Sequence, residues 1–337
     1  MQQALTYDDV LLVPQYSDIE SRKEIDISNN LDNKITLKLP IIASPMDTVT
    51  ELDMAITIGK LGGLGVIHRY NTIEKQCAIV KKAWESTKNV AAAIGVAADF
   101  EDRARAVADA GANVLCVDVA HGHHILVERA IKRLKDIFGD SVHLMAGNIA
   151  TLDGFNDISD WGADSIRCNV GGGSICSTRI QTGHGVPGLQ TIMDCAKSDR
   201  NAKIIADGGI RSSGDIVKAL AAGADFVMLG SMLGGTTQSP GFIVEERDGS
   251  QYKLYRGMAS KEAQINWRGR YSSNEGIATK IPYKGSVVDV LQDIKKGIAS
   301  GLSYSGSRNI NELWVKAQWV RQTNAGLNES GTHILLK

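Results

Sequence analysis

Short apolar runs recur along most of the chain and alternate with amphipathic segments. Each run is rich in Val and Ile and ends at Gly or a polar residue, as strands buried on both faces do. Segments with helical periodicity lie between them, for example at 102–110, 125–138 and 216–222. The eight predicted strands are 41–44, 64–68, 90–96, 114–118, 142–146, 165–169, 203–206 and 226–229.

Eight strand and helix units in succession predict an α/β fold, a (β/α)8 TIM barrel. The alternative, an open dinucleotide-binding sheet, is disfavoured because no Gly-x-Gly-x-x-Gly follows the first strand. Two segments interrupt the repeat, the long connection 170–202 and the tail after the eighth strand. We therefore expect one barrel domain over 1–337, with a loop at 169–187, a C-terminal extension and a flap at 240–285 that begins with a hairpin turn at 246–250.

The charge balance and the cysteines exclude several classes of protein. Lys plus Arg (37) nearly equal Asp plus Glu (38) in the 337 residues, so the chain has no general footprint for nucleic acid or anionic membrane. Five cysteines without a Cys-x-x-Cys pair indicate neither a disulfide framework nor a zinc ribbon. The start of the chain does not resemble a secretory signal. We expect a soluble cytoplasmic protein that acts on a small molecule.

One cysteine stands in an unusual place. Residues 169–179 read NVGGGSICSTR, so three glycines carry Cys176 to the end of the sixth predicted strand. Loops at this end of a barrel build the active site, and a nearby cation such as Arg179 favours a thiolate. Cys176 is therefore the candidate nucleophile. The other cysteines stand within helix or strand patterns and are expected to be small buried hydrophobes. They are Cys77, Cys116, Cys168 and Cys195.

Glycines after the last two predicted strands indicate a phosphate site. Gly209 follows the seventh strand, and Gly230 and Ser231 follow the eighth, which is the habitual phosphate position of this fold. With Ser174, they offer amides and hydroxyls to a phosphate. The alternative is that the glycines only form tight turns between strand and helix.

Polar residues end two further strands. Asp118 ends the fourth and is expected to accept a hydrogen bond from a sugar hydroxyl, while Asn148 offers an amide after the fifth. Histidines follow Asp118 in the sequence HGHH, but adjacent histidines on a short turn seldom converge on one metal ion. Glu275 lies in the polar flap, where an isolated carboxylate is usually only solvated.

Five ordered motifs resemble one enzyme family. They are LTYDDVLLVP at 5–14, SPMDTVTE at 44–51, GSICSTR at 173–179, DGGIR at 207–211 and YRGM at 255–258. On these motifs the chain resembles the IMP dehydrogenases and GMP reductases almost from end to end. The resemblance implies a barrel, usually tetrameric, in which a cysteine attacks C2 of a purine nucleotide. The reductase forms a covalent thioimidate as GMP loses ammonia and then accepts hydride from NADPH to give IMP. The dehydrogenase passes hydride from IMP to NAD and hydrolyses the adduct to XMP.

The resemblance also implies roles for matching positions. The catalytic residues would be Cys176, Thr178 and Glu275. Substrate residues would be Ser174, Gly209, Gly230, Ser231 and Tyr255 for the phosphate, Asp207 for the ribose, and Met46, Gly257 and Met258 for the base. Cofactor residues would be Asp118, Ala120, Asn148, Arg270 and Tyr271. Backbone carbonyls of Gly171, Gly173 and Cys176 match those that hold potassium in the dehydrogenases.

Three features favour the reductase. No regulatory CBS pair separates the second and third strands, and Asp118-Val119-Ala120 has the reductase form. Dehydrogenases use an Arg-Tyr pair on a long flap to activate water, whereas only three residues separate Arg270-Tyr271 from Glu275. We expect an NADPH-dependent GMP reductase.

Other features leave alternatives open. The motif at 44–51 and the tail at 326–333 are more like the dehydrogenase, whose tail adds to a potassium site in the neighbouring subunit. Ser272 and Ile277 replace the Arg and Lys that reductases often carry, so the choice between NADPH and NADH is open. A non-catalytic nucleotide-binding barrel is a third alternative, which the set of Cys176, Thr178 and Glu275 disfavours because a pure binder needs no nucleophile.

Overall fold

A closed barrel of eight parallel strands forms the centre of the computed structural model, which describes residues 3–332. Three short strands precede it. They are β1 (Val10–Leu12), β2 (Asn29–Asn30) and β3 (Thr36–Leu37). The barrel strands are β4 (Ile41–Ala43), β5 (Leu64–Ile67), β6 (Ala91–Ile94), β7 (Val114–Asp118), β8 (His143–Ile149), β9 (Ser165–Cys168), β10 (Lys203–Asp207) and β11 (Phe226–Leu229). β10 pairs with β9 and β11, and β11 pairs with β4, which closes the barrel.

The predicted (β/α)8 barrel is confirmed, and each predicted strand is present. The largest difference is in β8, which runs to Ile149 rather than ending at 146. A register shift between Gly147 and Ile149 lets Ile149 pair with Cys168 on β9, so the strand continues past the irregularity. The predicted strand ends at 146 because Gly147 and Asn148 interrupt the apolar run there.

Helices cover the outside of the barrel and continue into the C-terminal part. They are α1 (Leu52–Lys60), α2 (Ile73–Ser86), α3 (Phe100–Asp109), α4 (Ile125–Phe138), α5 (Leu152–Asp160), α6 (Thr178–Thr182), α7 (Gly188–Cys195), α8 (Ser213–Ala221), α9 (Lys261–Arg268), α10 (Val287–Tyr304), α11 (Ile310–Lys316) and α12 (Asn324–Glu329). Several begin at a Ser or Thr whose side chain accepts an amide of the first turn, as Thr72 does for α2 and Ser212 for α8. Among residues 3–332, no helix is long and apolar enough to span a membrane.

The predicted hairpin in the C-terminal part is present. The flap carries a three-stranded antiparallel sheet of β12 (Val244–Glu245), β13 (Gln251–Arg256) and β14 (Ala278–Pro282). The hairpin turn is closed by the amide of Glu246, which donates to the carbonyl of Ser250. Near the C-terminus β15 (Trp319–Arg321) pairs with β1 and joins the two ends of the chain. His333, the last residue of the predicted potassium tail, lies outside the described residues.

Side chains from the barrel strands and from the β2–β3 hairpin fill the barrel interior. The β2–β3 hairpin contributes Leu31, Ile35 and Leu37 to the same buried cluster as interior residues such as Val66 and Phe226. A second, larger cluster packs between the strands and the helices. The hairpin therefore closes the end of the barrel at which the strands begin, and the opposite end is left for loops.

Hydrogen bonds of a buried histidine join the β2–β3 hairpin to the barrel strands. The buried His143 ring lies 2.9 Å from Asp32 Oδ2 and 2.8 Å from Ser165 Oγ. Burial raises the pKa of the Asp32 carboxyl, but bonds from His143 and from the amides of Lys34 and Ile35 outweigh this and lower it to about 2. A carboxyl whose pKa is lower folded than unfolded stabilises the protein only where it is ionised.

We predict that D32N lowers the free energy of unfolding by about 1 kcal/mol near neutral pH, where the charged hydrogen bonds are fully formed but partly screened by solvent. The difference from wild type should shrink as the pH falls from about 4 to about 2. Urea unfolding across this range measures it, with D140N as control because Asp140 is 98% exposed. A deficit that does not change with pH would contradict the assignment.

Candidate active site

The loops at the carboxyl ends of the barrel strands surround a cavity of about 410 Å³. Most of the predicted site residues line it. They are Met46, Asp118, Ala120, Asn148, Gly173, Ser174, Cys176, Asp207, Gly209, Gly230, Ser231, Tyr255, Gly257, Met258 and Glu275. This is the end of a (β/α)8 barrel at which active sites occur.

A chain of hydrogen bonds joins Cys176 and Glu275, which both line the cavity, through Thr178, which lies outside the lining residues. The Cys176 thiol lies 3.1 Å from Thr178 Oγ1, to which it donates. The Thr178 hydroxyl in turn donates to Glu275 Oε2 at 2.9 Å. A thiol, a hydroxyl and a carboxylate in series can carry a proton between a nucleophile and a base.

Backbone bonds hold Glu275 in this place. The amide of Ser177 donates to the carbonyl of Glu275 at 3.0 Å, and the amide of Ile277 donates to Ile175 at 3.1 Å. The amide of Gly257 donates to Ile277 at 3.1 Å, so the cysteine loop, the flap and the end of β13 form one unit. A solvated role for Glu275 was the expectation from its sequence context alone, whereas the structure places its carboxylate on Thr178.

A buried glutamine supports the same segment of the flap. Gln264 on α9 is only 1% exposed. Its Nε2 donates to the carbonyl of Ser273 at 2.9 Å, and its Oε1 accepts from the amide of Ser272 at 3.1 Å. Sequence reasoning missed this residue, and its signal was weak because a polar residue on an amphipathic helix is common.

The corner near β10 and β11 contains the predicted phosphate residues. Tyr255 is buried, and burial raises the pKa of its hydroxyl to about 12, although hydrogen bonding with Ser174 and Ser231 opposes the shift. A Cβ added to Gly230 would lie 2.7 Å from the Tyr255 hydroxyl oxygen, so the backbone approaches this ring as only glycine allows. Gly209 has a φ of +76°, which also favours glycine.

An ion pair joins the two loops of the predicted base site. Arg256 Nε donates to Asp47 Oδ2 at 3.0 Å, and both side chains are nearly buried. The amide of Asp47 contacts Met258 Sδ at 3.3 Å. Met46 and Met258 therefore stand on opposite loops that the pair of Asp47 and Arg256 holds together.

A buried arginine, which sequence reasoning missed, occupies the centre of the barrel mouth. Arg167 donates through Nη1 to Asp118 Oδ1 at 2.5 Å and through Nε and Nη2 to Asp207 Oδ2 at 3.0 and 2.9 Å. Asn148 Nδ2 donates to the same Asp207 oxygen at 2.8 Å. The other oxygen of Asp207 accepts no hydrogen bond among the described residues, and Asp207 lines the cavity. A cation inside an apolar strand pattern was the signal for Arg167.

A pair of stacked aromatic rings that line the cavity was also not predicted. Tyr70 and Trp267 stack with ring centroids 6.0 Å apart and an interplanar angle of 17°. Arg69 lies beside them, and its Nη2 donates to the carbonyl of Asp118 at 3.2 Å. Arg69 Nε is buried and has no hydrogen-bond partner in the described part of the protein. No sequence spacing connects a residue after β5 with one on α9.

Other predicted site residues do not line the cavity. Tyr271 is 51% exposed, and its ring lies under the ammonium of Lys261 at 5.0 Å. Arg270, Gly171 and Thr178 also lie outside the lining residues, although Thr178 contacts Cys176 and Glu275, which line the cavity. The carbonyl of Gly173 accepts the amide of Cys176 at 3.1 Å, so the loop's own turn uses one of the predicted potassium ligands.

Comparison with known proteins gives one consistent family. The family model described as IMP dehydrogenase / GMP reductase domain matches residues 4–333. An inosine-5'-monophosphate dehydrogenase from Nitrosopumilus maritimus is 33% identical, and a GMP reductase from Leishmania major is 34% identical. Both matches cover 99% of this chain, with 99% and 98% of the relatives.

A solved structure agrees over the same length. It is a variant GMP reductase from Trypanosoma brucei in complex with guanosine 5'-monophosphate, with 32% identity and a TM-score of 0.92. The superposition covers 99% of this chain and 98% of that one.

The aligned lengths test whether the absence of an inserted segment distinguishes reductases from dehydrogenases. The alignments span 472 positions for the dehydrogenase and 481 for the reductase, against 337 residues here. A long segment without counterpart in this chain therefore occurs in relatives of both names. The lack of an insert after the second barrel strand does not separate the two activities.

We predict that Cys176 is the first cysteine alkylated by iodoacetamide in the native protein, because its thiol lines the cavity. Cys116, Cys168 and Cys195 are buried, and burial raises the pKa of Cys116 to about 12. Peptide mapping by mass spectrometry measures the order. Cys77 is the internal control, since it is also partly exposed and burial raises its pKa. Faster labelling of Cys77 would contradict the prediction.

Proposed function

Because the chain belongs to the IMP dehydrogenase and GMP reductase family of oxidoreductases that act on purine nucleotides, we propose that it is a GMP reductase that uses NADPH. The observation that carries the proposal is the hydrogen-bonded series from Cys176 through Thr178 to Glu275. The position of Arg270 and Tyr271 outside the cavity lining supports it, since these are the residues with which a dehydrogenase would activate water.

The first half of the reaction removes ammonia. The sulfur of Cys176 attacks C2 of the GMP purine, and its proton passes to Thr178 as the Thr178 hydroxyl proton moves to Glu275. The bond from C2 to the exocyclic nitrogen then breaks, and the proton returns from Glu275 through Thr178 to the leaving amine. A thioimidate between Cys176 and the purine remains.

The second half reduces C2. Bound NADPH would supply a hydride. The buried Nε of Arg69, which forms no hydrogen bond within the described residues and lies 3.8 Å from Asp118 Oδ2, fits a polar group of such a cofactor. Asp118, Ala120 and Asn148 also line the cavity, and the proposal assigns them to the cofactor. When C2 has gained hydrogen, the bond to sulfur breaks, IMP leaves and the Cys176 thiolate takes up a proton.

The remaining residues hold the nucleotide. In the proposal Asp207 accepts from a ribose hydroxyl through the oxygen that Arg167 and Asn148 leave unused. Ser174, Gly209, Gly230, Ser231 and Tyr255 bind the phosphate, and Met46, Gly257 and Met258 contact the base. The GMP bound to the Trypanosoma brucei enzyme supports a purine nucleotide as the ligand.

An IMP dehydrogenase that forms XMP with NAD is the second candidate. The motif at 44–51, which is more like that of the dehydrogenases, favours it, and Asp47 of this motif is held by Arg256 of the YRGM motif. Potassium at Gly171, Gly173 and Cys176 belongs to this candidate. A homotetramer and a cytoplasmic location stay predictions for both.

The test is cofactor absorbance with purified protein. GMP with NADPH or NADH is compared with IMP and NAD in the presence of potassium. We expect loss of reduced cofactor with GMP, release of an equal amount of ammonia, and a higher rate with NADPH. Formation of XMP from IMP at a comparable rate would assign the dehydrogenase instead.

We predict that E275Q lowers kcat for GMP reduction by about 10²-fold, because the amide cannot take the thiol proton from Thr178. Nucleotide affinity should change little. E262Q, an exposed glutamate on α9 of the same flap, is the control. Steady-state kinetics with GMP and NADPH measures both variants. Equal kcat values in the two would remove Glu275 from the relay.

A further inference from the structure

Two lysines of the flap contact the segment that follows β11. Lys253 on β13 is 3% exposed, and its Nζ donates to the carbonyls of Thr236 at 3.0 Å and Ser239 at 2.5 Å. Lys284, just after β14, donates to the carbonyls of Ser231, Met232 and Gly234, the last at 2.9 Å. An ammonium has three N–H donors, so Lys284 uses all of them on this one segment.

The segment that follows β11 also contains backbone amides that form no hydrogen bond within the described residues. The carbonyl of Gly230 accepts from Leu233 at 3.0 Å and Gly234 at 2.8 Å, which closes a turn over residues 230–234. Within residues 3–332, the amides of Ser231 and Met232 donate to no protein acceptor. In a trans peptide the carbonyl and the following N–H point in opposite directions. The Ser231 carbonyl that binds Lys284 therefore turns the Met232 amide away from the lysine.

The charge of Lys284 is also unbalanced. Its ammonium has no carboxylate within ion-pair distance among the described residues, and neither has that of Lys253. Burial lowers the pKa of Lys284, and no acidic group acts against this shift. Lys280, four positions earlier in the chain, pairs instead with Glu246 at 2.8 Å.

We propose that Lys284 is a positioning residue for the 5'-phosphate of the purine nucleotide. It holds the carbonyls of the 231–234 turn so that the free amides of Ser231 and Met232 serve as donors to the phosphate, and its charge balances the dianion. Lys253 holds the following residues, 236–239, in the same way. The inference rests on the phosphate corner of the proposed function and adds to it a lysine outside the residues that line the cavity.

Binding by calorimetry tests the proposal with three ligands, GMP, IMP and guanosine. We expect K284M to weaken GMP and IMP about tenfold and to leave guanosine within about twofold, because only the nucleotides carry the phosphate. K284R should restore much of the loss, since a guanidinium also donates to carbonyls and keeps the charge. K280M removes a lysine of equal size and charge from the same part of the flap and should change none of the three.

Two outcomes would overturn the proposal. One is an equal loss for guanosine, which would mean that the substitution disturbs the whole cavity, and the other is unchanged affinity for GMP. If K284M does not fold, K284Q gives the same comparison with a neutral side chain that still donates. If the wild-type protein binds GMP without reducing it, the proposed reductase activity is wrong, but the comparison of K284M with wild type still tests the role of Lys284. Failure of the proposed function and failure of the Lys284 proposal are therefore distinguishable.

Discussion

A buried cation at the barrel mouth organises the site. Arg167 projects from β9 between two carboxylates that end β7 and β10, and it donates to both. Because a buried guanidinium without these partners would cost several kcal/mol, the strands that carry Asp118 and Asp207 are held at a fixed separation. Burial lowers the pKa of Arg167, but the negative charges of Asp207 and Asp118 outweigh burial and raise this pKa well above its ordinary value. Arg167 therefore contacts one residue proposed to bind the cofactor, Asp118, and one proposed to bind the ribose, Asp207.

The chemistry depends on a second connection, between the cysteine loop and the flap. Glycines let the loop after β9 turn back on itself, and the flap lies against it through the backbone bonds of Ser177 and Ile277. This connection brings a carboxylate close to the thiol of Cys176, which is partly exposed and lines the cavity. The same short flap keeps Tyr271 at the surface. The hydrogen-bonded series and the position of Arg270 and Tyr271 outside the cavity lining are thus two consequences of one geometry. In the proposed function both direct the covalent adduct towards hydride.

The sequence predicts the barrel well because burial on both faces of a parallel strand leaves a clear apolar run. It also predicts Cys176 and the glycines near the phosphate corner, since the fold alone says which loops face the site. Glu275 could be assigned only by resemblance to a family, because its partners, the Thr178 hydroxyl and the Ser177 amide, are nearly a hundred residues away in the chain. The stack of Tyr70 on Trp267 could not be predicted for the same reason, because the two residues are far apart in the chain. Arg167 was within reach, since an arginine in an otherwise apolar strand requires buried counter-charges.

The fate of the Cys176 adduct tests the central claim most directly. Enzyme mixed with IMP and oxidised cofactor, without ammonia, forms the same thioimidate by transfer of hydride in the reverse direction. If this chain cannot activate water, reduced cofactor should appear in a burst of at most one equivalent per Cys176, and chromatography should find no XMP. Continued formation of reduced cofactor with accumulating XMP would contradict the account, because the adduct would then be hydrolysed.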